Sequence, residues 1–285
     1  MLIYTLQAME KLEEILSKTF DIPSHSNVVF KVIKLLDNEY LSIRDIEDFL
    51  SYDKGFASKF LRIANSPFYG MTRKIKTVKE ALVLLGINTA KSLILATSSR
   101  YLYKRFGDFE QSLWEHSLGV GICSSFLASL TKLAEPEESL CCGILHDIGK
   151  VFLNNAMPDD YPKLYKRIIN SEKSSAEIEN EIFAVNHVEV GVEVSMRWNF
   201  PEVIQKVIEY HHQAPYPYDE DTEHKNICNI VRIANHICHK LGIGFKKYLP
   251  NSIDLEDIGL DSSSLEEIEK IFLSQFNEQK DLLIN

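Results

Sequence analysis

The chain has 285 residues, 45% of them apolar and 25% charged, an ordinary balance for a globular protein with room for one large domain or two modest ones. The formal net charge of −10 is uneven: residues 251–285 hold nine Asp/Glu and two Lys, so they carry −7 of it and leave the rest near neutral. No net basic field faces a phosphate backbone, which disfavours nucleic acid as a partner. The most apolar stretch, "ALVLLGINTAKSLILA" at 81–96, is interrupted by Gly86, Asn88 and Lys91 and is too short and too polar for membrane insertion.

Apolar residues recur at three- and four-residue spacing almost throughout, and alternating strand patterns are nearly absent, which predicts an all-α fold. The start, "MLIYTLQAMEKLEEIL", has no basic n-region and no small-residue cleavage site. Residues 4–19 read as one amphipathic helix. Ser42 and Asp45 are placed like a capping pair; Thr77 and Glu80 form a capping box, with Gly86 as the C-cap. Asn88 is expected to cap a helix running to about Tyr103. "RFGDFEQ" at 105–111 reads as a hinge between two helical halves. Helices are expected over 109–133, 137–157, 160–170, 188–198, 201–213 and 224–241, with Ser174 and Glu177 boxing another that reaches about 185. Pro201 suits the first turn of its helix. "QAPYPYDEDT" at 213–222 is a loop, since Pro215 and Pro217 block helix continuation. Leu265, Ile268, Ile271, Phe272 and Phe276 make one apolar stripe of a tail helix with an acidic outer face.

The five cysteines, Cys123, Cys141, Cys142, Cys228 and Cys238, are odd in number and form no C-x-x-C pair. They read as reduced thiols of a cytoplasmic protein.

Five of the nine histidines fall at telling places: His116 in "LWEHSLGVG", His146 in "LHDIGK", His187 in "NHVEVG", and His211 and His212 in "EYHHQAP". Any one alone reads as a core or surface histidine with a hydrogen bond. As a group they carry the residue types with which helical bundles hold divalent metals, imidazole and carboxylate drawn from several helices. In "HDIGK" the two ligand types stand at i and i+1, about 100° apart on a helix, and grip an ion from two sides. Lys150 lies one turn beyond His146, placed either to hold a substrate phosphate or to neutralise Asp147. Gly149 lets another helix approach closely.

"HDIGK" with an upstream helical histidine resembles the HD superfamily of metal-dependent phosphohydrolases. The matching positions are His116, His146 and Asp147, and "NHVEVG" and "EYHH" look like the additional ligand positions of two-metal members, matching His187, His211 and His212. The closing aspartate of that pattern is replaced by Asn235 in "IVRIANHI", a neutral and poor ligand for a transition metal. "LRIANSPFYG" at 61–70 followed by "TVKEALVLLG", "IPSHSNVVFKVIKLL" at 22–36 and "NFPEVIQKVIEYHHQAP" resemble the HDOD family, the HD-related output domains of bacterial signalling, over roughly residues 15–245. "YDKG" at 52–55 departs from the family's usual Asp-Pro. "NSPFYG" itself reads as a structural clasp between halves in preference to a ligand-contacting loop.

The resemblance implies an N-terminal lobe over 1–105, an HD-like helical lobe over 106–245 and an acidic helical extension over 246–285. It implies divalent metal, drawn from Fe, Mn, Zn or Ni, on His116, His146, Asp147, His187, His211, His212 and Asn235. Two functions follow. The favoured one is a regulatory module that works through signalling proteins without turnover. The other is a metal-dependent phosphohydrolase of phosphodiesters or phosphorylated nucleotides, with Asp147 as ligand and Lys150 steadying the phosphate. "HHQAPYPY" lacks the "HHE…GYP" signature of the HD-GYP cyclic-di-GMP phosphodiesterases.

Overall fold

Capping residues start helices where the sequence places them. In the computed structural model, which describes residues 6–20, 43–51, 54–65, 73–217, 220–245 and 254–284, the Thr77 hydroxyl accepts from the Glu80 amide and opens a helix that Gly86 closes at φ +83°. Ser174 and Glu177 complete a reciprocal box. No strand occurs among the described residues, and the fold is all-α.

The helices are α1 (Leu6–Phe20), α2 (Ile43–Ser51), α3 (Lys54–Ala64), α4 (Val78–Leu85), α5 (Ile87–Ser98), α6 (Asp108–Thr131), α7 (Pro136–Leu145), α8 (Ile148–Ala156), α9 (Tyr161–Ile169), α10 (Ser175–Phe183), α11 (His187–Arg197), α12 (Glu202–Tyr210), α13 (Thr222–Leu241) and α14 (Leu265–Ile284). α6 is the central spine. α7 and α13 lie along it, α11 crosses α8, and α12 closes against α7, α11 and α13. α1 packs on α8 and α11, α5 on α7, and α14 on α3 and α6.

Four expectations need correction. Asn88 is not a cap: α5 opens one residue after Gly86, so Asn88 is already helical, and the helix ends at Ser98, followed by a 3-10 turn over Ser99–Leu102. The expected helix over 137–157 is two helices, because Asp147 leaves helical geometry at φ −104°, ψ 23°. Pro201 stands one residue outside α12, as its N-cap. In the tail helix, Ile268, Phe272 and Phe276 are buried as expected, but Ile271 is 42% exposed on the outer face. The readings at 22–36, at Ser42, and in most of "NSPFYG" and "YDKG" fall outside the described residues.

Two backbone crossings fix the interior. A Cβ on Gly149 would stand 1.8 Å from the His187 carbonyl oxygen, and one on Gly143 would stand 2.6 Å from the Gly121 Cα. Only hydrogen at these positions lets α8 meet α11, and α7 meet α6, at backbone contact. The first crossing brings "HDIGK" to the start of α11; the second brings its histidine to α6.

Candidate metal centre

Four elements deliver the side chains singled out in the sequence to one place. α6 carries His116, and the α7–α8 break carries His146 and Asp147. His187 is the first residue of α11, held there by Asn186, whose side chain accepts from the Val188 and Glu189 amides. His211 and His212 stand in the turn after α12. His116, His146, Asp147, His187 and His211 are each at most 3% exposed; His212 is exposed, yet its ring packs 3.9 Å from that of His211. Ligand-capable atoms of Asp147, His187, His211 and His212 all lie within 4.8 Å of one another, and so do those of His116, His146 and Asp147.

The proton positions can be followed ring by ring. Nδ1 of His146 faces the Gly143 carbonyl at 2.7 Å, Nδ1 of His211 the Val207 and Ile208 carbonyls at 3.1 and 3.0 Å, and Nδ1 of His116 the Ile243 carbonyl at 3.2 Å. Nδ1 of His187 faces the Glu179 carboxylate at 2.5 Å. Acceptors only stand at these positions, so each Nδ1 carries the proton and donates it. Burial pushes the His116 ring down to about 3 and the His211 ring down to about 4, so both are neutral and their Nε2 atoms are bare lone pairs.

Those Nε2 atoms point at other acceptors. His187 and His211 Nε2 stand 3.4 and 3.5 Å from Asp147 Oδ1, and His146 and His116 Nε2 stand 3.2 and 4.0 Å from Oδ2. His187 Nε2 meets His212 Nε2 at 3.0 Å, and His116 Nε2 meets Asn235 Oδ1 at 3.0 Å. Asp147 Oδ1, His146 Nε2 and His211 Nε2 are buried with no hydrogen-bond partner among the described residues. Unpaired buried acceptors are costly; a shared cation removes the cost at every one of them. Burial by itself would raise the Asp147 carboxyl, yet the group is held well below the usual carboxylate range, with the Lys150 ammonium donating to Oδ2.

Lys150 is 2% exposed and donates to Asp147 Oδ2 at 2.5 Å, so of the two roles open to it the structure shows neutralisation of Asp147. Three participants lie outside the sequence motifs. Glu179 on α10, fully buried, accepts from the His187 backbone and ring and from the Tyr161 hydroxyl, at 2.8, 2.5 and 2.7 Å. Tyr161, at the start of α9, is the second. His239, one turn beyond Asn235 on α13, stacks on His116 with ring centroids 4.3 Å apart. Only His239 had a signal, its i+4 spacing from Asn235; nothing local marks Glu179 in "SAEIENEIF".

The family model for the HDOD domain matches residues 22–214. An uncharacterised protein of Treponema pallidum is 26% identical over 218 residues, 75% of this chain and 42% of that one. The chain spans less than half the length of the curated relatives it matches. Among solved structures, an HDOD domain protein of unknown function from Geobacter sulfurreducens superposes with a TM-score of 0.73 at 24% identity, over 97% of this chain and 95% of that one. A candidate phosphohydrolase from Shewanella amazonensis superposes with a TM-score of 0.70 at 21% identity, over 95% and 98%.

Proposed function

The chain belongs to the HDOD family, and from that membership we propose that it is a regulatory module built around a divalent-metal centre, acting on protein partners in bacterial signalling. The observation that carries the metal is the set of buried imidazoles, each with Nδ1 against a backbone carbonyl or carboxylate, whose Nε2 atoms converge on one carboxylate. Atoms bound to one tetrahedral cation at about 2.0–2.1 Å stand about 3.3–3.4 Å apart; the spacings of His187 and His211 Nε2 from Asp147 Oδ1, 3.4 and 3.5 Å, match. His116, His146, Asp147, His187, His211 and His212 bring the ligand-capable atoms of the centre together, with Asn235 as a neutral neighbour. An imidazole-rich set with one carboxylate suits Fe, Mn, Zn or Ni in preference to Mg or Ca. When bound, such a cation supplies Lewis acidity toward water and phosphoryl oxygens.

The chain's own residues favour a switch over turnover. Asn235 brings no charge to His116. Lys150, the cation that would steady a phosphate, is already spent on Asp147 and is buried. Five free buried cysteines suit a cytoplasmic setting, and no described helix is long and apolar enough to cross a membrane. The division at 105/106 and 245/246 is part of the same reading.

A second reading, a metal-dependent phosphohydrolase of phosphodiesters or phosphorylated nucleotides, is favoured by one observation: all five imidazoles of the expected set are brought together. Hydrolysis of an aryl phosphodiester, with Mn²⁺ added, separates the two. The switch reading expects wild type and His146→Ala to release product at the same background rate. Robust turnover that vanishes in His146→Ala makes the protein an enzyme.

A further inference from the structure

The two oxygens of Asp147 are not equivalent. Oδ2 is held by the Lys150 ammonium at 2.5 Å. Oδ1 accepts no hydrogen bond from any described residue. Around Oδ1 stand His187 and His211 at 3.4 and 3.5 Å, the edge lengths of a tetrahedral site, with His212 3.0 Å from His187. Around Oδ2 the spacings are uneven, 3.2 Å to His146 and 4.0 Å to His116, and the residue 3.0 Å from His116 Nε2 is the uncharged amide of Asn235.

The shell behind each half differs in the same direction. His187 donates to the Glu179 carboxylate, which makes its Nε2 a stronger electron-pair donor, and His211 is backed by two carbonyls. His116 and His146 are each backed by one carbonyl. Charge points the same way. Asp147 and Glu179 contribute two negative charges and Lys150 one positive, so the centre is one negative charge short of balancing even a single divalent ion, and a cation on Oδ2 would sit against the lysine ammonium. His212 is the one exposed member of the set, which puts the Oδ1 half on the side open to solvent.

We propose that the centre takes one cation and not two, on Asp147 Oδ1, His187, His211 and His212, and that the Lys150 ammonium occupies the role of a second cation on Oδ2. This rests on the metal reading above and adds its stoichiometry and location. His116, His146 and Asn235 then form a packed half-site, held by the His116 and His146 Nδ1 hydrogen bonds to backbone carbonyls and by the stacked His239 ring.

The test is equilibrium loading of the stripped full-length chain with Mn²⁺ or Co²⁺. Bound metal is read by elemental analysis, and folding is checked by circular dichroism. Wild type is expected to retain one equivalent, His116→Ala one, and His187→Ala none at the same free metal. Lys150→Met, close to isosteric and uncharged, is expected to admit a second equivalent. Two equivalents in wild type, or loss of metal in folded His116→Ala with retention in folded His187→Ala, overturns the proposal while leaving a metal centre in place. A folded wild-type chain that binds neither ion overturns the metal reading itself.

Discussion

Glu179 lies eight residues before His187 and nothing in its own segment distinguishes it from a surface glutamate of an amphipathic helix, yet it is fully buried with three donors. Burial opposes its charge; the His187 ring and backbone outweigh that and keep the carboxyl below its usual range, so it stays an acceptor. Replacing it with Gln keeps the shape but removes the anion behind His187. Glu179→Gln is therefore expected to weaken metal binding about 10–100-fold, measured by competition with a chromophoric chelator; unchanged affinity would reduce Glu179 to a packing role. Asn235→Asp acts on the other half. It adds a charged hard oxygen beside His116 and is expected to increase bound Mn²⁺ per chain, a gain that elemental analysis reads directly. The histidines other than His116 were legible because each has polar or turn-forming neighbours or sits in "HDIGK"; His116, inside α6, was legible only as the upstream helical histidine of the pattern. Glu179 and Tyr161 were not, because their partnership forms only when α9 and α10 fold back toward α11.

At the scale of elements, the centre depends on how closely helices approach. Gly149→Ala would push a methyl into the His187 carbonyl, 1.8 Å away. The expected cost is at or above the upper end of the usual 1–3 kcal/mol for overpacking, about 3 kcal/mol, by chemical denaturation. Metal affinity should fall with it, because α11 cannot move without carrying His187. Ser174→Ala is the matched control. It removes the side-chain half of a capping box, is expected to cost about 1 kcal/mol, and should leave metal affinity unchanged once the protein is folded. The capping signals at Thr77 and Ser174 were legible because their chemistry is local. The break at Asp147 was not: "CGILHDIGKVFL" keeps helical periodicity straight through it, and no Gly or Pro at 146–147 marks the turn.

For the whole molecule, three- and four-residue periodicity was enough to give an all-α chain, but not which helices meet. The placement of α1 against α8 and α11 ties the start of the chain to the "HDIGK" segment and the helix of His187. α14 ties the acidic end to α3 and α6 through Phe272, fully buried, and Phe276. Phe272→Ala is expected to cost about 3–5 kcal/mol in the denaturation midpoint. Its effect on metal affinity should be small, since the ligands lie on other elements. Metal binding energy is also folding energy. At a free metal concentration about 100 times the dissociation constant, the bound ion adds about 2.7 kcal/mol, so chelation should lower the melting temperature by several degrees. The most direct test of the central claim is the X-ray absorption spectrum, at the metal edge, of the full chain purified without added metal. The expected spectrum is that of a divalent first-row ion in a low-coordinate nitrogen/oxygen shell, with the outer-shell scattering of several imidazoles. A chain without metal, or an ion surrounded by oxygen alone, would contradict it.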